Sequence, residues 1–132
     1  VDPVALVFTA DPRLGRAAAL DAAVEKTDRK AGHLAPDPGG HVYGVDHGVT
    51  FSEDEKLRTV LWGWAGERLD DELVADLERL SDALDGALGD TLSLLPTRRE
   101  LARTRQRVAR RLRESSFPLP GDGWPSLPWP AF

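Results

Sequence analysis

The sequence predicts an α+β fold that is mostly α-helical, with a small β-hairpin, in one domain over residues 1–132. Leucines recur at helical spacing through residues 70–85, and an arginine-rich helix is predicted over residues 97–114. A short apolar run, Val42–Val45, follows a turn rich in proline and glycine, as in a hairpin. A chain of 132 residues buries roughly two-thirds of its unfolded surface, which is enough for one core.

Composition excludes several classes of function. The net charge of −5 argues against non-specific binding to nucleic acid, and the lack of cysteine excludes disulfides and thiolate metal sites. No apolar run approaches the ~20 residues that a membrane span needs, and no signal peptide is visible. We therefore expect a cytoplasmic protein without a membrane span.

The first elements are a strand and a helix. Val4–Phe8 is a short run of β-branched and aromatic residues, which predicts a strand. Asp11 followed by proline is typical of a helix start, and the helix is predicted from Pro12 to about Glu25. Asp21 falls on the apolar face of this helix. We interpret it as a partly exposed or capping charge in preference to a catalytic group.

The stretch from Thr27 to Phe51 carries the residues with chemical potential. Asp28 precedes Arg29 and Lys30, and neighbouring positive charge keeps a carboxylate ionised and attracts phosphate. Asp46 ends the strand-like run, and Gly48 just after it permits a tight turn with positive φ. The Asp46 carboxylate is thereby predicted to project from a strand end.

Metal binding is the predicted role of the second acid. Carboxylate oxygens such as those of Asp46 suit Mg²⁺ or Mn²⁺ in sites shared with substrate phosphates. His33 is a candidate second ligand, better suited to Mn²⁺ or Zn²⁺. Each motif alone is more often an ordinary solvated turn. The two together, with a strand between them, favour a site.

The second half is predicted to be helical and to end in a strap. Asp70–Asp85 and 97–114 are the two long helices, the latter started by a capping box of Thr97 and Glu100. We interpret its eight arginines as a solvated face paired with the acidic helix before it; a face for an anionic partner is the alternative. Residues 117–132 are predicted to form an ordered, extended strap with docked rings, or a polyproline-type ligand for a partner.

Several stretches resemble the C-terminal half of an actinobacterial PI3/PI4-kinase-like family, of the phosphatidylinositol 3-/4-kinase-like superfamily. The matching motifs are T-D-R-K-A-G-H at 27–33, Y-G-V-D-H-G-V at 43–49, K-L-R-T-V-L-W-G-W-A-G-E at 56–67 and W-P-S-L-P-W-P-A-F at 124–132. The resemblance covers most of the chain. It implies the C-lobe of an atypical, lipid-kinase-like fold.

The same resemblance implies an ATP-dependent phosphotransferase that uses Mg²⁺ or Mn²⁺. Asp28 would orient the acceptor hydroxyl, Asp46 would bind metal, and His33 stands where the family pattern has a metal-binding Asn. Arg29 and Lys30 would lie near the cofactor phosphates. The acceptor is open, and the N-lobe that holds nucleotide in such enzymes is expected outside these residues or on a second chain.

Two other functions remain open at this point. The first is a pseudokinase or protein-interaction domain without catalysis, because no N-lobe is visible and His33 replaces the metal-binding Asn; Glu25 and Lys26 also stand where close relatives are expected to have Asn-Asn. The second is a metal-dependent phosphohydrolase that uses His33, Asp46 and His47.

Overall fold

The computed structural model of the protein describes residues 11–121 and 125–131. Within these ranges it contains four α-helices and one two-stranded antiparallel sheet, which confirms an α+β, mostly helical fold. The predicted strand Val4–Phe8 lies outside the described residues. The elements in chain order are α1 (Pro12–Val24), β1 (Leu34–Pro36), β2 (Val42–Gly44), α2 (Asp71–Leu84), α3 (Ala87–Leu92) and α4 (Arg98–Glu114).

Helix α1 begins and ends as the sequence predicts. The Asp11 side chain accepts a hydrogen bond from the backbone N–H of Arg13 at 3.0 Å, and Pro12 fills the first turn. The helix stops at Glu25, whose φ of 52° is left-handed. Its buried face is made mostly of small residues, so the chain that follows can approach it closely: Leu14, Gly15, Ala18, Ala19, Ala22 and Ala23.

The hairpin follows a short 3-10 turn at Ala31–His33. Strands β1 and β2 pair with Leu34 opposite Gly44 and Pro36 opposite Val42. The connecting turn is closed by the N–H of Asp37, which donates to the His41 carbonyl at 2.8 Å. The hairpin is short, and β2 packs on α1. It therefore aims the residues after Gly44 toward the C-terminal end of α1.

The helical half buries an apolar stripe between α2 and α4. Asp70 caps α2 by accepting from the Leu73 N–H at 2.7 Å, and Thr97 caps α4 by accepting from the Glu100 N–H at 3.1 Å. Both predicted helices are thereby confirmed with their predicted starts. The leucines of α2 meet the apolar face of α4 in a core that includes Leu73, Leu77, Leu84, Leu101 and Val108.

Four of the eight arginines of α4 form ion pairs, though not as predicted. Arg105 contacts Asp85 at the end of α2 at 3.5 Å. Arg107 instead reaches Glu25 after α1 at 2.8 Å, and Arg110 reaches Glu55 at 3.4 Å. The interpretation that these arginines pair with the preceding helix is therefore wrong for most of the described pairs. Arg107 and Arg110 join α4 to the residue that follows α1 and to the segment between β2 and α2.

The described parts of the C-terminal segment, residues 117–121 and 125–131, contact the segment between β2 and α2 and the 3-10 turn before β1. The Thr59 N–H and the Trp62 indole N–H both donate to the Ser126 carbonyl, at 3.1 and 2.8 Å. The Ala31 N–H donates to the Ala131 carbonyl at 3.1 Å. The ring of Trp129 is 90% exposed, so the expected docking is wrong for this side chain. Trp124 and Phe132 lie outside the described residues.

No helix within residues 11–121 and 125–131 is long and apolar enough to cross a membrane.

Candidate functional site

Two loops meet beside the C-terminal end of α1. The first, the Asp28 loop, comprises residues 26–30, and the second, the Asp46 loop, comprises residues 45–51. The Thr27 N–H and hydroxyl both donate to the Val49 carbonyl, at 3.0 and 3.1 Å. The Val45 N–H donates to the His33 carbonyl at 2.8 Å. The structure therefore brings the two predicted acids onto adjoining loops.

A buried ion pair lies beneath these loops. Arg29 donates through Nε and Nη2 to the two carboxylate oxygens of Asp21, each at 2.9 Å, and both side chains are 1% exposed. Burial raises the pKa of Asp21, and the bonds from Arg29 oppose that rise. Interpreting Asp21 as a partly exposed or capping charge is thus wrong. Asp21 is tolerated on the buried face of α1 because Arg29 donates two hydrogen bonds to its carboxylate.

Arg29 also reaches the second loop. Its Nη1 donates to the Val45 carbonyl at 2.8 Å, one residue before Asp46. The guanidinium is enclosed by Asp21 and this carbonyl, so it presents no surface to a bound phosphate. Its predicted cofactor-binding role is replaced by a structural one. Lys30 is partly exposed and is the member of the predicted cation pair that a ligand can reach.

Lys26 is a second buried cation, which the sequence interpretation did not include among the site residues. Its side chain is 1% exposed, and its ammonium donates to the Gly48 carbonyl. Burial lowers the pKa of Lys26, while the nearby Asp46 carboxylate opposes that effect. Lys26 and Arg29 thus bond to carbonyls on either side of Asp46. The sequence feature that could have indicated this buried cation is a lysine directly before the Thr-Asp-Arg motif.

The Asp46 loop holds an unusual backbone conformation. Asp46, Val49 and Phe51 have φ values of 56°, 55° and 64°, in the left-handed region. Gly48 is not among the residues with positive φ, so the prediction that it makes the turn is wrong. A β-branched residue such as Val49 is rarely found there. Such strain concentrates at functional sites, where the surrounding contacts enforce it.

His33 lies next to Asp46. Its Nε2 is 3.4 Å from the Asp46 carboxylate, and its Nδ1 accepts from the Lys30 N–H at 3.3 Å. A neutral imidazole that accepts at Nδ1 carries its proton on Nε2. Because Nε2 carries the proton and lies 3.4 Å from the Asp46 carboxylate, it has no free lone pair for a metal, and this geometry favours a supporting role for His33 over the predicted role as metal ligand.

Asp28 is partly exposed and lies near another cation. Its side chain is 28% exposed, and Arg58 Nη2 lies 4.0 Å from its carboxylate. Arg58 Nε donates to the Thr27 carbonyl at 2.8 Å, which holds this guanidinium against the Asp28 loop. Backbone hydrogen bonds between residues 26–29 and 58–60 secure the same contact. Because the Asp28 carboxylate is partly exposed, the hydroxyl of a phosphate-accepting substrate can reach it.

The described residues contain no group of three His, Asp or Glu side chains that could hold a metal ion. His47 is exposed and does not complete such a group with His33 and Asp46. This arrangement gives no support to the phosphohydrolase alternative, which needs a metal held by the protein.

A groove of about 680 Å³ lies along α4. Its lining includes neither Asp28 nor Asp46. Its wall carries equal numbers of positive and negative side chains, four arginines and four glutamates: Arg103, Arg107, Arg110 and Arg111, with Glu25, Glu53, Glu55 and Glu114. We place the candidate site at the two loops, because Asp28 and Asp46 lie on them and the loops are hydrogen-bonded to each other.

Comparison with known proteins gives one informative similarity. "Protein Rv2133c" from Mycobacterium tuberculosis (strain ATCC 25618 / H37Rv) is 41% identical over 131 residues, which cover 99% of this chain and 47% of the relative. The chain therefore spans about half the length of this curated relative. No family model and no solved structure matches the chain.

Proposed function

We propose that this chain is the acid-bearing lobe of an ATP- and divalent-metal-dependent phosphotransferase. The observation that carries the proposal is the joining of the Asp28 and Asp46 loops by two buried cations, with Asp46 held in a left-handed conformation. Phosphoryl transfer depends on positioning and charge compensation more than on covalent chemistry. Two acids held on adjoining loops meet that requirement. The sequence resemblance to PI3/PI4-kinase-like proteins supports the same function.

Each residue has a role in this proposal. Asp28, being partly exposed, orients the acceptor hydroxyl and receives its hydrogen bond. Asp46 holds the metal, and His33, whose Nε2 lies 3.4 Å from that carboxylate, supports it. Lys30 adds positive charge near the phosphates, where it stabilises the negative charge that develops in the transition state. Arg29 acts only by holding the two loops together.

The donors fit Mg²⁺ or Mn²⁺ that arrives with nucleotide. Mg²⁺ is usually held by one or two carboxylates together with substrate phosphates, and Asp46 supplies one carboxylate. The metal would neutralise charge on the phosphates. Asp46 would orient that metal–nucleotide complex toward the acceptor held at Asp28.

The nucleotide site extends beyond these residues in this proposal. Kinases cover the phosphates with a separate N-terminal lobe. We propose that such a lobe is supplied by a segment outside residues 1–132 or by a second chain. The extra length of the matched relative is compatible with the first arrangement. The acceptor is an alcohol whose identity these residues do not specify.

Calorimetry of ATP binding in the presence of Mg²⁺ or Mn²⁺ tests the proposal on the whole encoded product that contains this chain. We expect metal-dependent binding that Asp46→Asn weakens by about tenfold or more, because a metal-bound carboxylate is lost. Asp54→Asn, the same change at an exposed acid, is the matched control and should bind as wild type. A folded product that binds no ATP with either metal would contradict the proposal.

A non-catalytic interaction domain is the second candidate. It is favoured by the small donor set among the described residues and by the burial of Arg29, which removes one predicted phosphate ligand. The same calorimetry separates the two, since an interaction domain of this kind needs no metal-dependent nucleotide binding.

A further inference from the structure

We propose that residues 126–131, here called the C-terminal tether, position the side chains of the candidate site. The tether supplies no group to the proposed chemistry and acts by holding the backbone that carries Asp28 and His33. The inference rests on the proposed function of the two loops and adds a third segment to the site.

One end of the tether contacts the segment beside the Asp28 loop. The Ser126 carbonyl accepts two hydrogen bonds, from the Thr59 N–H at 3.1 Å and from the Trp62 indole N–H at 2.8 Å. A carbonyl oxygen has two lone pairs, so it can satisfy both donors at once. Thr59 is 2% exposed and forms a parallel bridge with Arg29, a residue of the Asp28 loop. This end of the tether therefore holds the segment that pairs with the Asp28 loop.

The other end of the tether contacts the turn that carries His33. The Ala131 carbonyl accepts from the Ala31 N–H at 3.1 Å. Ala31 is fully buried and begins the 3-10 turn Ala31–His33, and the first N–H groups of a helical turn have no acceptor inside it. The His33 Nε2 lies 3.4 Å from the Asp46 carboxylate. The tether thereby holds the turn whose last residue reaches the proposed metal carboxylate.

Between these ends, one side chain anchors the tether. Pro128 is fully buried, whereas its neighbours Leu127 and Trp129 are exposed. The tether is thus held by one inserted proline and by a carbonyl near each end, and the hydrogen bonds to these carbonyls come from residues outside α2 and α4. We expect detachment of the tether to loosen the loops and to leave the helical half folded, because local segments can open independently of a core.

Hydrogen exchange of backbone amides, measured on the whole encoded product without nucleotide, tests the inference. Pro128→Asp places an unpaired carboxylate at a buried position and should release the tether. We expect the amides of residues 26–33 to exchange at least about tenfold faster, whereas those of α2 and α4 change less than about twofold. Pro125→Asp, the same change at an exposed proline just before the tether, is the matched control and should exchange as wild type.

Two further readouts separate positioning from a general loss of stability. Pro128→Val keeps an apolar side chain at the buried position and should restore exchange close to that of wild type. In Pro128→Asp the imidazole resonances of His33 should shift, because the turn that carries this residue loses its contact with the tether. Those of His41, in the turn of the hairpin, should stay unchanged.

Wild-type exchange of residues 26–33 in folded Pro128→Asp would overturn the inference, as would equal acceleration in α2 and α4. If circular dichroism shows that this variant does not fold, Trp62→Phe removes one hydrogen bond to the tether and keeps an aromatic ring. The same amides should then exchange faster, and unchanged exchange would again overturn the inference. These measurements contain no nucleotide, so the inference can fail while metal-dependent ATP binding succeeds, and the reverse.

Discussion

The α2–α4 half of the molecule and the two-loop region are held together by different physical means. The helices meet through leucines and a valine, with caps at their starts. The loops have little regular secondary structure and bury charged and polar side chains instead: Asp21, Glu25, Lys26, Thr27, Arg29 and Thr59. Apolar burial is non-directional, whereas each buried polar group must meet a specific partner.

The difference indicates that the helical half mainly provides stability, whereas the two loops mainly hold side chains in defined positions. The helical core can tolerate changes of side chain that keep volume and polarity. The loops cannot, because Arg29 must satisfy Asp21 and the Val45 carbonyl at once. The left-handed residues Asp46 and Val49 persist because these contacts enforce them. A region with this much enforced geometry is suited to holding reactive groups in register.

The largest expected effect comes from breaking the buried ion pair. Arg29→Met leaves the Asp21 carboxylate buried without a partner, and we expect a loss of about 3–5 kcal/mol in the free energy of unfolding at pH 7. The loss should shrink as pH falls toward about 4, because burial raises the pKa of Asp21 and protonation removes the unpaired charge. Urea denaturation followed by tryptophan fluorescence measures both.

The matched control removes both charges. The double variant Asp21→Leu with Arg29→Met should regain part of the lost stability, since a buried pair replaced by apolar groups is often close to neutral. It should still bind metal–nucleotide poorly, because the tie to the Val45 carbonyl is gone. A single Arg29→Met variant as stable as wild type would show that the pair is not buried as described.

A smaller effect is expected from the helical half. Leu77 is 5% exposed in the α2–α4 core, and Leu77→Ala should lower the free energy of unfolding by about 2–4 kcal/mol through loss of apolar contacts and a residual cavity. ATP affinity, measured where the variant is still folded, should stay unchanged. An altered affinity in folded Leu77→Ala would mean that the two regions are energetically coupled.

The helical half was largely predictable from the sequence. The starts of α1, α2 and α4 follow from local signals, the capping residues Asp11, Asp70 and Thr97, and the leucine spacing predicts the buried face of α2. These signals act within one or two turns of helix, so a single sequence contains them in full. The pairing of Arg107 with Glu25 and of Arg110 with Glu55 was not predictable, because these partners are distant in the chain.

The site was predictable in outline only. The order of the Asp28 and Asp46 motifs, with a strand between them, favoured one site, and the structure places the two acids on adjoining loops. The roles of Arg29 and Lys26 depend on contacts with Asp21 and with the loop carbonyls, which no local pattern encodes. An aspartate on the apolar face of α1, Asp21, is the sequence feature that indicates a buried ion pair, whereas the interpretation from sequence was a partly exposed or capping charge.

The most direct test of the central claim uses histidine resonances on the whole encoded product. His33 lies beside the proposed metal carboxylate, whereas His41 lies at the turn of the hairpin. We predict that Mn²⁺–ATP broadens the imidazole signals of His33 strongly and those of His41 far less, with assignments made from histidine-to-glutamine variants. Equal broadening of both residues, or none at saturating nucleotide, would contradict the assignment of these two loops as a metal–nucleotide site.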